Sequence, residues 1–162
     1  MDKPADTMAE APVGPPLEFG EMRRSASFIM RLAELSLYEQ IYARIEALPV
    51  SLAEITVMAM IAENPDARQG ELADALKIKW PRMTKLVRVM EAKGWVERIV
   101  PEGDSRAVML RLTKVGAKLT REMRPRIEAI DLEVTGMLTP AEQRQLLVLL
   151  SRVLGWEDLN AR

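Results

Sequence analysis

Four side chains that donate hydrogen bonds, Arg82, Thr84, Lys85 and Arg88, fall close together in the chain, and the triplet Asp104-Ser105-Arg106 follows between two apolar runs. Guanidinium, ammonium and hydroxyl groups at this density suit phosphate oxygens and the acceptor-rich edges of base pairs. They do not resemble a reaction centre. No nucleophile–base pair and no glycine-rich phosphate loop accompanies them, so an enzyme is not expected. The chain has no cysteine and no histidine. That removes disulfides, thiol redox chemistry, the commonest metal ligand and the usual general base near neutral pH. No cofactor or metal is expected.

The donors need an element to hold them. On a helix from about 80 to 93, Met83, Leu86, Val87 and Met90 share one side, while Arg82, Thr84, Lys85 and Arg88 take the other side or the flanks. Alone, that split also describes an ordinary solvated amphipathic helix. Its neighbours decide the matter. A short helix, Gln69 to about Leu76, precedes it across the turn Lys77-Ile78-Lys79; Pro81 lies near its start and Gly94 at its stop. Trp95 to Val100 and Arg106 to Leu112 then read as strands joined by the turn Pro101-Glu-Gly-Asp104. Helix, turn, basic helix and hairpin make a winged helix-turn-helix, which sets one helix in a DNA groove. Trp80 either packs over the turn between the helices or touches a sugar-phosphate or thymine methyl. Arg106 on a narrow hairpin suits the minor groove, with Asp104 holding the guanidinium; the alternative is a surface ion pair of little consequence.

Charge supports the same element. The net charge is −1 over 162 residues, but residues 65–114 hold eleven Lys/Arg against seven Asp/Glu, while the remainder holds twelve against seventeen. A basic module inside an acidic frame is what a phosphate backbone responds to. Arg98 joins Arg82, Lys85, Arg88 and Arg106 as a candidate for displacing counterions. No apolar run approaches the ~18 residues of a membrane span, and the N-terminal segment has no apolar core of a secretory signal. A cytoplasmic protein is expected.

The flanks read as helices. Residues 1–16, with prolines at 4, 12, 15 and 16, form a disordered tail. Residues 17–48 carry two apolar stripes, one through Phe28, Leu32, Leu35, Tyr38, Tyr42 and Ile45, the other through Ile29, Ala33, Leu37, Ile41 and Leu48. Two stripes need two surfaces, one from the chain itself and one from a partner chain. Ser51 and Glu54 form a capping box for a helix to about Glu63. Thr113 caps a long helix to about Met137, which Pro125 should kink or break. Thr139 and Glu142 cap a last helix bearing Leu146, Leu147, Leu149, Leu150, Val153 and Leu154. The fold class is mainly α (α+β): dimerisation helices over 17–48 and 113–162, and a winged helix-turn-helix over 49–112.

The segments Gln69-Gly-Glu-Leu-Ala-Asp-Ala-Leu76, Met90-Glu-Ala-Lys-Gly-Trp-Val-Glu-Arg98, Asp104-Ser-Arg106 and Leu112-Thr-Lys-Val-Gly116 resemble the MarR family of bacterial transcriptional regulators, over about Leu17 to Trp156. The resemblance implies a homodimer on a pseudo-palindromic operator in double-stranded DNA, most often as a repressor. It implies that Arg82, Thr84, Lys85 and Arg88 line the major groove and that Arg106, braced by Asp104, enters the minor groove. Lys79-Trp80 departs from the small polar cap common at the start of the recognition helix, so the operator cannot be borrowed from relatives. Many members release DNA when an effector binds between the dimerisation helices and the DNA-binding lobe. Without cysteine or histidine, thiol and zinc sensing drop out, leaving a small organic effector such as an aromatic acid, phenol or related thioester. Arg24, Arg31, Phe28, Tyr38 and Met58 are candidates for its charge and walls, against plain core packing or a solvated helix face. The competing function is a winged-helix scaffold for protein interactions, without ligand response.

Overall fold

The computed structural model describes residues 17–100 and 108–156. They divide into two units, the described residues up to Ser36 and those from Leu37 onward. In the first, a short 3-10 turn (Gly20–Arg24) precedes α1 (Ala26–Ile45), whose first residues belong to this unit. The expected helix from Leu17 therefore starts later. Ser25 adopts an extended conformation and its hydroxyl receives the Phe28 N–H at 3.4 Å, acting as the N-terminal cap. Phe19 lies against Phe28, ring centroids 5.6 Å apart. Ile29, Met30, Leu32 and Leu35 remain exposed.

The second unit holds the remainder of α1, then α2 (Leu52–Glu63), α3 (Gln69–Ala75), α4 (Trp80–Ala92), β1 (Val96–Ile99), β2 (Met109–Leu112), α5 (Lys114–Val134) and α6 (Pro140–Val153). The two strands pair antiparallel, Val96 opposite Leu112 and Ile99 opposite Met109. The approach to α3 and its first residue line this sheet: Asp66 and Gln69 donate backbone N–H groups to Leu110 and Val108, and Leu110 donates to Ala67. Asp66 there takes φ 65°. Its carboxylate holds Arg111 of β2 through two hydrogen bonds of 2.9 and 2.7 Å.

One core fills the space between these elements. Val57, Met58 and Ile61 of α2, Leu72 and Ala73 of α3, Met83, Val87 and Met90 of α4, Val96, Leu110 and Met123 are all buried together. The apolar side expected of α4 is the side it buries, with Leu86 at its margin. A second, smaller core joins Ile41 and Ile45 of α1 to Val134 of α5, and Leu48, Leu52 and Ile127 pack against both. Arg44 of α1 reaches Glu133 of α5 at 2.9 Å.

Capping boxes form at Ser51–Glu54 and Thr139–Glu142, and Thr113 caps α5. Pro125 does not break α5, which runs unbroken over 21 residues. The cost of a missing N–H and a crowded carbonyl is local, and packing of Met123 and Ile127 on either side holds the helix together.

Candidate nucleic-acid interface

α4 owes its position to its two ends. At its start Lys79 offers no side-chain cap, Pro81 has no N–H to satisfy, and the first turn carries no acidic residue. The positive end of the helix dipole is thus left without a neutralising group from its own cap or first turn. Trp80 is 56% exposed, and its ring lies 3.8 Å from where a Cβ on Gly70 would stand. It therefore leans over the first turn of α3 and still presents most of its surface outward.

At the other end Lys93, Gly94 and Trp95 make a Schellman stop. Trp95 N–H returns to Met90 and Gly94 N–H to Glu91, both at 2.9 Å, with Gly94 at φ +70°. Lys93 lies over the Trp95 ring, 4.3 Å from its centroid, and donates to Glu54 at 2.6 Å. Glu54 is buried at the start of α2, where it also receives the Ser51 backbone N–H and hydroxyl at 2.8 and 3.0 Å. Burial by itself pushes the Glu54 carboxyl upward. Hydrogen bonds from Lys93 and Ser51, with the Lys93 charge, outweigh it and hold the group below its usual 4.5.

This linkage has a sign. A carboxyl depressed on folding stabilises the fold above its unfolded value, and the contribution is lost as pH falls through the folded value. Glu54→Gln keeps a capping oxygen but loses the charge. We expect it to cost about 1–2 kcal/mol at neutral pH, the half-solvated Lys93 keeping the figure low. Thermal melts of both proteins should converge as pH falls through the depressed folded value of Glu54; a gap that persists in acid would show that the ion pair is not its source.

Arg82, Lys85 and Arg88 are exposed on α4, and no ion pair among the described residues engages them. Thr84 is half-buried beside them, its Oγ1 receiving the Gln69 side-chain N–H at 3.2 Å. Arg98 is a different case. It lies on β1 with its side chain 26% exposed and its Nε 3.4 Å from Glu91 of α4. A guanidinium drawn in against a carboxylate links strand to helix. Asp104 and Arg106, and with them the turn at 101–104, lie outside the described residues.

Each residue suggested for an effector has partners of its own or is buried. Arg24 pairs with Glu21 at 3.3 Å, Arg31 with Glu34 at 2.7 Å, and Phe28 with Phe19. Tyr38 stacks beside Tyr42, centroids 6.1 Å apart. Met58 is buried in the core on the inward face of α2. A cavity of about 390 Å³ lies between α2 and α5, walled by Ile55, Ala59, Met60, Leu76 and Ile127 and lined also by Arg124. Arg124 is held there by Glu63 at 3.4 Å and Glu128 at 3.2 Å. Sequence spacing does not reveal this cavity, nor the Glu54–Lys93 and Asp66–Arg111 pairs. Glu54 has a visible signal as a capping residue; nothing in the spacing announces a contact between residues 39 or 45 positions apart.

Helices around a two-stranded antiparallel sheet, with an exposed basic helix among them, make a winged helix-turn-helix fold. Residues 48–107 match the sequence profile of the MarR family. The Escherichia coli multiple antibiotic resistance protein MarR is 29% identical over 108 residues, 66% of this chain and 75% of that protein. The chain spans 66% of the length of two mycobacterial regulators of helix-turn-helix type that it matches. Among solved structures, the transcriptional repressor CouR bound to a 23-mer DNA duplex superposes with a TM-score of 0.76 at 22% identity, covering 86% of this chain and 99% of that one. BpsR of Bordetella bronchiseptica, whose DNA binding is regulated by 6-hydroxynicotinic acid, does so at 0.72 and 22%, covering 86% and 97%. Over residues 48–107 the chain is thus similar to the MarR family, and its fold is that of the solved MarR-type regulators.

Proposed function

We propose that this chain acts as a homodimeric repressor that reads a pseudo-palindromic operator and is released from it by a small organic effector. The observation that carries the reading is the α4 surface: three exposed cations without ion-pair partners among the described residues, on a helix whose positive end has no side-chain cap. In this reading Arg82, Thr84, Lys85 and Arg88, with Trp80 at the edge, face the major groove. Arg106 enters the minor groove, Asp104 steadies it, and residues 49–112 form the DNA-binding lobe. The flanking helices, 17–48 and 113–162, form the dimerisation part. Exposed Leu147, Leu149, Val153 and Leu154 on α6, together with Tyr38 and Tyr42 on α1, support a covered face, because so much apolar side chain in water is unfavourable.

The cavity between α2 and α5 supports the effector part. Its volume suits a small aromatic compound, and its wall includes Leu76, the residue that closes α3. A ligand there adjoins the element that seats α4. The regulation of BpsR by 6-hydroxynicotinic acid supports a ring compound, and aromatic acids, phenols and thioesters are the first classes to screen.

A gel-shift titration on the DNA flanking its own gene tests this. Wild-type binding should weaken steeply with salt as phosphate counterions return. Arg106→Ala should cost about tenfold or more at each half-site. Binding that is flat in salt and indifferent to Arg106→Ala would overturn the assignment, and no release by any screened ring compound would remove the effector part alone.

A further inference from the structure

Gln69 is the first residue of α3 and is only 3% exposed. Its backbone N–H donates to the Val108 carbonyl at 2.9 Å, one residue before β2. Its side-chain Nε2 donates to Thr84 Oγ1 on α4 at 3.2 Å. One buried residue therefore ties the root of the wing to the recognition helix. A buried amide without partners is costly, so this bond is not incidental.

The consequence lies in the hydroxyl. A threonine has one O–H to donate and two lone pairs to accept with. The hydroxyls of Thr56, Thr120 and Thr135 spend their proton on the carbonyl four residues earlier in their own helices. Among the described residues Thr84 donates to nothing; it only accepts, from Gln69. Thr84 shares the i, i+4 row of Trp80 and Arg88, two side chains that are exposed.

We propose that Gln69 is a positioning residue that sets the polarity of Thr84: by occupying a lone pair it turns the hydroxyl proton outward, so that Thr84 reads a base-edge acceptor. Purine N7, guanine O6 and thymine O4 satisfy it, while the amino group of cytosine does not. This rests on α4 being the helix in the major groove. Sequence specificity at one base pair of each half-site would then be decided by a residue that never touches DNA.

The test uses duplexes enriched by the full-length wild-type protein from a random-sequence pool, then every single base-pair substitution of the enriched site. Wild type should discriminate by about tenfold against a pair presenting a donor at the Thr84 position. In Gln69→Glu the carboxylate accepts the Thr84 proton, leaving the hydroxyl lone pairs outward, and that preference should vanish or reverse while other positions keep theirs. Thr84→Val should erase the same preference, and the double variant should add nothing further. Unaltered base preference in Gln69→Glu, or additive effects of the two substitutions, would overturn the proposal. Should Gln69→Glu melt below the assay temperature, Gln69→Met keeps the shape without the bond; retained tenfold discrimination there refutes the proposal equally, and its loss supports it. Failure to enrich any duplex would overturn the groove assignment of α4 on which the proposal rests, an outcome distinct from a change at one base pair.

Discussion

Gly116→Ala should lower the melting temperature by about 6–12 °C, a loss of roughly 3 kcal/mol or more for a chain of this size. Gly116 lies in the first turn of α5, and a Cβ there would overlap the backbone carbonyl of Trp95. The obstruction is main chain, so no side-chain rotation relieves it. Thr113 closes the same junction from the other side: its hydroxyl donates to the Gly94 carbonyl at 2.6 Å and accepts the Gly116 N–H at 3.0 Å. The end of α4, the start of β1 and the start of α5 therefore meet at one point, and forcing them apart displaces the recognition helix and the wing together. Gly70→Ala is the control. Its Cβ would meet only the Trp80 ring, at an ordinary 3.8 Å, so its melt should match or slightly exceed wild type. Equal melting of Gly116→Ala and Gly70→Ala would show that the close approach is not a constraint on the fold.

The second large effect concerns assembly. Leu147 is 58% exposed on α6, and its substitution should leave the protomer intact. Both Leu147 and Leu150 line a groove with Leu37, Ile41 and Leu132, but Leu150 is the less clean choice because it is only 37% exposed. In a twofold interface each substitution enters twice. Removing two buried leucines and adding two lysines costs about 5 kcal/mol or more, above a thousandfold in dimer dissociation. Sedimentation of Leu147→Lys should show monomer with a melting curve still cooperative, and operator affinity should fall with it, since a monomer engages one half-site. A dimer that sediments as before would place the interface elsewhere.

Much of this architecture is readable from local chemistry. Ser51, Thr113 and Thr139 announce helix starts because a hydroxyl next to orphan N–H groups satisfies them at once. Met83, Val87 and Met90 announce the buried side of α4 because helical spacing puts them there. The errors have equally local causes. The helix expected from Leu17 begins only at Ala26, where the Ser25 hydroxyl accepts the Phe28 N–H and starts it. Pro125 signals a break that packing on both sides overrides.

The sequence alone determined the fold class of this protein: the order of elements, the cluster of cations on one helix face, and the segments Glu-Ala-Lys-Gly and Leu-Thr-Lys-Val-Gly that carry the resemblance are all written in neighbouring residues. Tertiary structure decided what those segments are for. Lys93 proved to be the partner of a buried Glu54, Gly116 the seat for the Trp95 carbonyl, Gln69 the hinge-pin between wing and helix, and Arg98 a brace against Glu91. The physical reason is range. Caps and amphipathic faces are set by contacts three or four residues apart and can be read along the chain, whereas a buried charge, a backbone overlap or a shared hydrogen bond exists only after distant segments have been brought within a few ångströms.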